Sequence, residues 1–476
     1  MSVPIISGFH PDPTICEWQG SYYLANSSFE YSPGIPIHRS TNLIDWELIG
    51  NAAQGRASVQ AKPSRGIFAP TLRHHDDLFW LIFTDMSSAV RGQLLMTAEN
   101  ATGPWSAPLD VPVTGIDPDI VWDDDACYVS WAQWDPELGP AGIWQAQIDD
   151  RTGALLESPR HLWSGTGLAY PEGPHLYRVG EWWYLLIAEG GTERGHSVSI
   201  ARSGDIRGPF EAAPSNPIFS HRSLDVPVQN TGHADLIRLP DGDWAAVYLG
   251  VRVSGPTPYY HLNGRETFLA GIEWVDGWPR FLDEHYDVTE RDHSFVDVFD
   301  LVELAPNWVT VSGRTVDDGQ LLLGASERVA ESPLLLTRVR DQRWRARSIV
   351  RGSGGRVRLI LRLDDTHWYA VTLSGSRVEA ELCIGGHPSR LRSAAVSDEA
   401  SVVLELRSLA PSAEHSLATD VIELSVTVDG ARTVLGAVDG RYLSTEVAGG
   451  FTGRMVGLEA LEGQVRVTEF QYTTAP

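Results

Sequence analysis

Aromatic and aliphatic residues recur in short runs through residues 1–280, and glycine- or proline-containing turns separate these runs. Runs of this length between turn residues are typical of β-strands, and helical periodicity is absent from nearly all of the region. One aromatic strand is predicted in each of five successive units: Tyr22-Tyr23-Leu24, Leu78-Phe79-Trp80-Leu81, Cys127-Tyr128-Val129, Trp182-Trp183-Tyr184-Leu185 and Trp244-Ala245-Ala246-Val247-Tyr248. A further strand and a turn follow in most units, so the pattern predicts three or four strands per unit.

A short phrase precedes each aromatic strand and repeats five times. Its copies are Pro11-Asp12-Pro13-Thr14-Ile15, Phe68-Ala69-Pro70-Thr71-Leu72, Ile116-Asp117-Pro118-Asp119-Ile120, Glu172-Gly173-Pro174-His175-Leu176 and Gly232-His233-Ala234-Asp235-Leu236. The aligned positions 12, 69, 117, 173 and 233 are 48 to 60 residues apart. A repeat of that length in an all-β region predicts a five-bladed β-propeller. Equivalent positions of the blades face one axis, so Asp12, Asp117 and Glu172 are expected to meet in one pocket.

The repeat ends near Phe281, and a different pattern follows. Residues 287–293 are polar and charged, as in a linker. Beyond them, apolar and polar residues alternate with period two in segments such as 357–363 and 422–428, and the latter ends at Asp429-Gly430. Such alternation predicts an antiparallel β-sandwich. The expected domains are a propeller over residues 1–287 and a sandwich over residues 294–476.

Charge, cysteine spacing and hydropathy limit the classes of molecule that the protein is expected to bind and the compartment in which it is expected to work. The formal net charge of −25 over 476 residues argues against nucleic acid and anionic membranes, and it leaves a neutral ligand open. The cysteines lack metal-binding spacing, and Cys16 and Cys127 are expected as buried thiols. The N-terminal residues lack the pattern of a signal peptide, and no apolar run reaches the roughly 18 residues of a membrane span, so a cytoplasmic enzyme is expected.

Three converging carboxylates are typical of glycoside hydrolysis. One carboxylic acid protonates the leaving oxygen, while a carboxylate activates water or attacks the sugar. Asp12 lies between two prolines, and Glu172 lies between Pro171 and Gly173, so both acids have restricted backbones. The alternative is structural, because an aspartate beside proline often caps a turn.

Other polar residues of the repeat admit several interpretations. Asp119 and Asp123 to Asp125 are expected as turn and surface carboxylates. His233 could act as a base, a metal ligand or a buried hydrogen-bonded residue, and its spacing favours the last.

Several motifs in order resemble glycoside hydrolase family 43. They are Gly8-Phe9-His10-Pro11-Asp12-Pro13, Ser28-Phe29-Glu30-Tyr31-Ser32-Pro33-Gly34-Ile35-Pro36-Ile37, Glu172-Gly173-Pro174-His175-Leu176-Tyr177, Ala188-Glu189-Gly190-Gly191-Thr192 and Gly264-Arg265-Glu266-Thr267. The chain is most similar to the β-xylosidase and α-L-arabinofuranosidase branch, which carries a concanavalin- or jelly-roll-like β-sandwich. The resemblance implies an inverting mechanism, with Asp12 as general base, Glu172 as general acid and Asp117 tuning and orienting that acid.

The same resemblance implies a sugar-binding set. Arg265 would hold sugar hydroxyls and help to hold Asp117 or Glu172, although an isolated arginine is more often a surface ion pair. His233 would lie on the axis beneath the sugar, where some relatives bind calcium, often through water. No cofactor is otherwise required.

Aromatic side chains complete the implied pocket. Phe29 and Thr192 would line it, and Phe68 stands where the family usually has tryptophan, with core packing as the alternative for both phenylalanines. Phe451, in Gly450-Phe451-Thr452-Gly453, resembles an aromatic at the pocket mouth, which would make the enzyme exo-acting. A plain hairpin is the alternative for Phe451.

The predicted function is an inverting, exo-acting hydrolase that releases β-D-xylose or α-L-arabinofuranose from non-reducing ends of xylo- or arabinoxylo-oligosaccharides. The alternatives are a sugar-binding propeller without catalysis and a fructosidase, whose Asn-Asp-Pro-Asn and Arg-Asp-Pro phrases are absent from the sequence. The choice between the two pentoses stays open. A small oligosaccharide is the expected partner, and a homo-oligomer is compatible with the many dimeric or tetrameric relatives.

Overall fold

The computed structural model describes two compact units. The described residues are 3–54, 62–87, 92–135, 137, 139–255, 257–301, 303–311, 319–325, 328–351, 355–397, 401–411 and 417–475. The first unit comprises Met1–Ile6, His10–Val251 and Glu266–Thr289, and the second comprises Ser7–Phe9, Arg252–Arg265 and Glu290–Pro476. Two short segments inside the sequence-predicted propeller, 7–9 and 252–265, therefore group with the second unit.

The first unit contains five antiparallel sheets, which confirms the predicted five-bladed propeller. Blade 1 contains β1 (Thr14–Trp18), β2 (Ser21–Ala25), β4 (Gly34–Ser40) and β5 (Glu47–Ala53), while the short β3 (Tyr31–Ser32) follows β2 in the chain outside this sheet. Blade 2 contains β6 (Ile67–His75), β7 (Leu78–Asp85), β8 (Gln93–Ala98) and β9 (Leu109–Val111). Blade 3 contains β10 (Ile116–Asp123), β11 (Ala126–Gln133), β12 (Gly142–Ile148) and β13 (Arg160–Trp163).

The last two blades follow the same plan. Blade 4 contains β14 (Glu172–Val179), β15 (Trp182–Glu189), β16 (Ser197–Ser203) and β17 (Glu211–Ala212). Blade 5 contains β18 (Val228–Arg238), β19 (Trp244–Ser254), β21 (Glu266–Val275) and β22 (Trp278–Leu282), with β20 (Tyr260–His261) following β19.

The ring closes through the first strand of each blade. These strands contact one another in the order β1, β6, β10, β14, β18 and back to β1. The N-terminal segment also joins the last blade, because the backbone amides of Ile5 and Ile6 donate to the Thr267 carbonyl. Closure leaves the first strands around one axis, where the repeated phrase lies.

Apolar clusters fill the space between neighbouring blades. Each cluster draws side chains from two adjacent blades, in the pairs Ile37 and Leu81, Leu95 and Val129, Ile143 and Leu185, Ile200 and Ala246, and Leu24 and Val247. Burying one such leucine or isoleucine stabilises the fold by about 1.5–3 kcal/mol relative to exposure. Cys16 and Cys127 lie in two of these clusters, which confirms that they are buried thiols.

The second unit is a β-sandwich, as predicted. Its early strands are β23 (Phe295–Asp297), β24 (Thr310–Val311), β25 (Gly319–Leu323), β26 (Arg328–Val329), β27 (Leu334–Arg338), β28 (Trp344–Arg351) and β29 (Arg356–Arg362). Its later elements are β30 (Trp368–Ser374), β31 (Arg377–Ile384), β32 (His387–Ala395), β33 (Ser401–Leu409), β34 (Val421–Val428), β35 (Ala431–Asp439), a 3₁₀ turn (Gly440–Tyr442), α1 (Thr445–Ala448) and β36 (Met455–Thr474).

Strand β36 belongs to both sheets of the sandwich. Its first half pairs with β27 and β29, and its second half pairs with β23, β25 and β28. Gly463, with φ 63°, lies between the halves, where a glycine tolerates the left-handed conformation of a strand that changes sheets. Within the described ranges, no helix has both the length and the apolar character that a membrane crossing requires.

Candidate active site

The repeated phrase places its central residues in an unusual backbone conformation at the axis. Asp12, Asp117, Gly173 and His233 all have positive φ, between 46° and 57°. In blades 3 and 4 the strand register also shifts at the phrase, between Ile116 and Asp119 and between Glu172 and His175. Such β-bulges re-aim a side chain relative to the regular ladder, and they are frequent beside active sites.

Asp12 is a buried carboxylate with a defined partner. The Ser27 hydroxyl donates to Asp12 Oδ2 at 2.5 Å, and His233 Nδ1 lies 3.8 Å from Asp12 Oδ1. Both Asp12 and His233 are buried. A hydrogen bond to a carboxylate favours its ionised form, so this setting suits a base held in one orientation. The burial of His233 is compatible with the buried, hydrogen-bonded interpretation, which stays a prediction.

Asp117 joins this group through the backbone of blade 4. The Gly173 amide donates to Asp117 Oδ2 at 3.2 Å. The imidazole of His233 packs against the same glycine, since a Cβ atom at Gly173 would lie 3.0–3.1 Å from three of its ring atoms. Glu172 is the residue before Gly173, at the start of β14, and its side chain is half-buried. The structure thus brings Asp12, Asp117 and His233 together around Gly173, beside Glu172.

Gly173→Ala is expected to lower kcat/KM at least tenfold and to destabilise the protein by about 1–3 kcal/mol, because the added methyl group would displace His233 in a packed site. Gly180→Ala is the matched control. Gly180 also has positive φ, at 62°, but a Cβ atom there would meet nothing within 4 Å. Activity assays and thermal unfolding of both variants would check the effect. Equal losses in the two variants would show that backbone strain alone is responsible.

A second ring of polar side chains lies two residues further along the first strands. Asp119, His175 and Asp235 occupy this position in blades 3, 4 and 5, and Thr14 occupies it in blade 1. With Arg73 and Tyr177 these residues form what we call the axial ion cluster. Arg73 donates to Asp235 at 2.7 Å and to Asp119 at 3.0 Å.

Hydrogen bonds connect the axial ion cluster across all five blades. Thr14 Oγ1 and Tyr177 Oη donate to the two Asp235 oxygens at 2.8 and 2.6 Å. His175 Nδ1 lies 3.1 Å from Asp119 Oδ1, and the Leu176 amide donates to Asp119 Oδ2. The expectation that Asp119 is a turn or surface carboxylate is therefore wrong, because it is buried within a strand and pairs with Arg73 from another blade.

Burial and pairing set the ionisation of the axial ion cluster. Burial alone would raise the pKa of Asp235, but Arg73 and His175 outweigh it and lower that pKa from 3.8 to about 2. Burial disfavours the charged form of Arg73, but Asp235 and Asp119 raise its pKa above the usual range. Burial and the neighbouring Asp235 raise the pKa of Tyr177 well above 10. Arg73 and Asp235 therefore stay charged at neutral pH.

Arg73→Met should lower the free energy of unfolding by roughly 3–5 kcal/mol, because it leaves buried carboxylates without their cation. The folded pKa of Asp235 is depressed, so its contribution of about 2 kcal/mol is present above pH 3.8 and is lost as the pH falls through 2. Urea unfolding at several pH values should show a deficit that is full near pH 6 and shrinks below pH 4. Arg39→Met, at the exposed pair with Glu47, is the control and should cost about 0–1 kcal/mol.

Phe29 and Phe68, two of the three predicted aromatic residues, lie together in the first unit. The rings of Phe29 and Phe68 are 5.0 Å apart, centroid to centroid, at an angle of 51°. Phe29 is buried, whereas Phe68 is half-buried and packs partly against the cluster between blades 3 and 4. Core packing thus accounts for most of the contact surface of the Phe29 ring. The Phe68 ring keeps part of its surface accessible to solvent. Thr192 is half-buried just after β15.

Arg265 and Phe451 meet within the second unit. Arg265 Nη2 donates to the Phe451 carbonyl at 3.4 Å, and the guanidinium carbon lies 5.7 Å from the Phe451 ring centroid. Phe451 is exposed and follows two glycines with positive φ, Gly449 and Gly450. The arginine is buried, so it is not an exposed surface ion pair.

His233 is the residue at which the family resemblance implies a calcium ion. Among the described residues, no group of three or more His, Cys, Asp and Glu side chains could hold a metal ion. Calcium takes roughly six to eight oxygen ligands, so the described side chains do not fit direct ligation at His233. A calcium ion held through water stays a prediction.

Two residues near the axis escaped prediction. Ser27, which bonds Asp12, lies 15 residues further along the chain, and no local pattern connects the two. Arg73 pairs with Asp119 and Asp235 across three blades. The partners of Arg73 could have been found from the sequence repeat. Asp119, His175 and Asp235 each stand two residues after an aligned position, and alternate residues of a strand share a face.

Comparison with known proteins agrees with this architecture. The family described as Glycosyl hydrolases family 43 matches residues 1–279, and the Beta xylosidase C-terminal Concanavalin A-like domain matches residues 297–473. A Xylosidase/arabinosidase of Butyrivibrio fibrisolvens is 41% identical over 290 residues, which cover 58% of this chain and 55% of that protein. The chain therefore matches only about half the length of that relative.

Two further proteins are similar over nearly the whole chain. The non-reducing end alpha-L-arabinofuranosidase BoGH43B of Bacteroides ovatus is 32% identical over 96% of this chain and 90% of its own length. The crystal structure of xylan beta-1,4-xylosidase from Bacillus halodurans has a TM-score of 0.86 at 26% identity, and the match covers 99% of this chain and 100% of that one.

Proposed function

The chain belongs to glycosyl hydrolase family 43, and on that premise we propose that it is an inverting, exo-acting hydrolase of short oligosaccharides. It releases single pentoses, β-D-xylose or α-L-arabinofuranose, from the non-reducing ends of xylo- or arabinoxylo-oligosaccharides. The observation that carries the proposal is the gathering of Asp12, Asp117 and His233 around Gly173, next to Glu172.

Asp12 is the general base in this proposal. Its buried carboxylate accepts the Ser27 hydrogen bond, which favours the ionised form and fixes its direction. The second Asp12 oxygen, nearer His233, takes a proton from water as the water oxygen attacks the anomeric carbon. This attack from the face opposite the leaving group inverts the anomeric configuration.

Glu172 is the general acid. The electron pair of the breaking glycosidic bond goes to the leaving oxygen, and this oxygen takes the proton of Glu172. Asp117 binds the amide of Gly173, directly beside the acid, and its negative charge favours the protonated form of Glu172. The products are a free pentose and an oligosaccharide shortened by one residue, with the proton from water held by Asp12.

Arg265, Phe29, Phe68, Thr192 and Phe451 complete the proposed sugar-binding set. Arg265 is a hydrogen-bond donor for hydroxyls, and the aromatic rings offer faces for the apolar side of a sugar. The names of the relatives support both pentoses as the released sugar, since they include xylosidases and an arabinofuranosidase.

Product analysis tests the proposal. Xylotriose and an arabinosyl-substituted xylotriose are incubated with the enzyme, and the products are separated by chromatography over time. The expected products are one pentose and a chain shortened by one sugar, with no internal cleavage. Binding of these sugars without any turnover would instead support a sugar-binding propeller.

The proposal includes no obligatory cofactor. Dialysis against EDTA is expected to leave the activity within about twofold of the untreated enzyme, because proton transfer between carboxylates and water supplies the chemistry. Activity that is lost on dialysis and restored by calcium alone would contradict this and support an ion near His233.

A cytoplasmic location is part of the same proposal, since short oligosaccharides taken up by a cell are suitable substrates for an exo-acting enzyme. Fractionation of the source organism should recover the pentosidase activity with cytoplasmic markers. Recovery in the culture medium would contradict this location.

A further inference from the structure

Tyr170 is an exposed aromatic residue close to the proposed acid. Its side chain is 62% exposed, and it lies two residues before Glu172. Its φ is 54°, in the left-handed region that bulky residues rarely adopt. The following residue is Pro171, which further restricts the tyrosine backbone. An exposed ring in a costly backbone conformation contributes little to the core, and such residues concentrate at functional sites.

The segment that carries Tyr170, residues 164–171, is firmly held and is called here the acid loop. The carboxylate of Glu189, buried at the end of β15, accepts from the Thr166 amide and from the Thr166 hydroxyl, both at 2.8 Å. The Gly190 amide donates to the Ala169 carbonyl at 2.6 Å. The loop also approaches β15 closely at Gly165, where a Cβ atom would lie 2.2 Å from a Glu189 oxygen. Tyr170 is therefore presented from an anchored backbone.

The ring of Tyr170 stands over the turn that follows β15. A Cβ atom at Gly191 would lie 3.2 Å from Tyr170 Cδ2, so the ring packs on a residue without a side chain. Thr192, a predicted sugar-lining residue, comes next in the chain. The Tyr170 ring therefore packs against the residue before Thr192, and Tyr170 precedes Glu172 by two residues in the chain.

We infer that Tyr170 is the stacking platform for the leaving-group sugar, an inference that rests on the proposed function. A general acid must reach the oxygen that joins the two sugars, so the leaving sugar lies on the side of Glu172. A rigid aromatic face covers the apolar face of a pyranose with little loss of side-chain freedom. The hydroxyl of Tyr170 is not required for this contact, but the ring is.

The test compares substrates that differ in the leaving group. Wild type, Tyr170→Ala, Tyr170→Gly and Tyr170→Phe are assayed on methyl β-D-xyloside and xylobiose, or on the matching arabinofuranosides if arabinose is released. For Ala and Gly we expect kcat/KM on the disaccharide to fall about two- to twelvefold, the range for loss of one aromatic contact. Values on the methyl glycoside should be unchanged, and Tyr170→Phe should match wild type on both. Leu156→Ala, at an apolar residue of similar exposure (58%), is the control and should change neither.

Three results would overturn the inference. Equal losses on both substrates would show that the acid loop has shifted, and unchanged activity on both would show that the ring binds nothing. A loss in Tyr170→Ala that Tyr170→Gly restores would assign the effect to backbone conformation. A wild-type enzyme without turnover on any pentoside would instead refute the proposed function, so the two failures are distinguishable.

Discussion

Glu172→Gln should lower kcat/KM on xylobiose by roughly 10²–10⁴-fold, the usual contribution of general acid catalysis. The glutamine keeps the size of the side chain but has no proton that it can give to the leaving oxygen. The loss should be much smaller on 4-nitrophenyl xyloside, because a nitrophenolate departs without protonation. Steady-state kinetics on the two substrates would measure this difference.

Glu181→Gln is the matched control for that variant. Glu181 is exposed in the turn between β14 and β15 of the same blade, so its substitution should leave both substrates unaffected. If Glu172→Gln retained activity on xylobiose within tenfold of wild type, Glu172 could not be the acid.

Asp12→Asn should cause a loss of similar size, roughly 10²–10⁴-fold, but with a different substrate pattern. Every leaving group requires an activated water molecule, so the loss should be alike on xylobiose and on 4-nitrophenyl xyloside. The variant keeps the shape of the side chain that Ser27 bonds. Circular dichroism and thermal unfolding would establish that the fold is intact.

Asp124→Asn makes the same chemical change at an exposed position in the turn between β10 and β11. It should behave as wild type on both substrates. A loss in Asp12→Asn confined to the poor leaving group would contradict the base assignment, since it would place Asp12 in protonation of the leaving oxygen.

The repeat made the propeller predictable, because every copy lies in or at the edge of the first strand of its blade. Its period alone predicted that Asp12, Asp117 and Glu172 would meet in one pocket, because equivalent positions of the blades face one axis. The roles of base and acid did not follow from the period, and they came from the resemblance to the family. The left-handed conformation at Asp12, Asp117 and His233 was not predicted, because only glycine signals it reliably in a sequence.

Ion pairing between side chains of different blades was the main feature that could not be predicted from the sequence. A charged residue such as Asp119 is exposed in most proteins, and Arg73 stands on a different blade. Only the closed ring brings them to 3.0 Å. Ser27 and Asp12 belong to the same blade, but 15 residues separate them and no local pattern links them. The segment 252–265 precedes β21 in the chain, yet it groups with the second unit.

A proton NMR time course of the sugar first released tests the central claim most directly. The enzyme is added to 4-nitrophenyl β-D-xyloside, or to the α-L-arabinofuranoside if that is the better substrate, and the anomeric signals are followed from the first turnover. Inversion by Asp12 and Glu172 predicts that α-xylose, or β-arabinose, appears first and that the other anomer grows in only by mutarotation. First appearance of the anomer present in the substrate would contradict direct attack by water and would require a covalent intermediate.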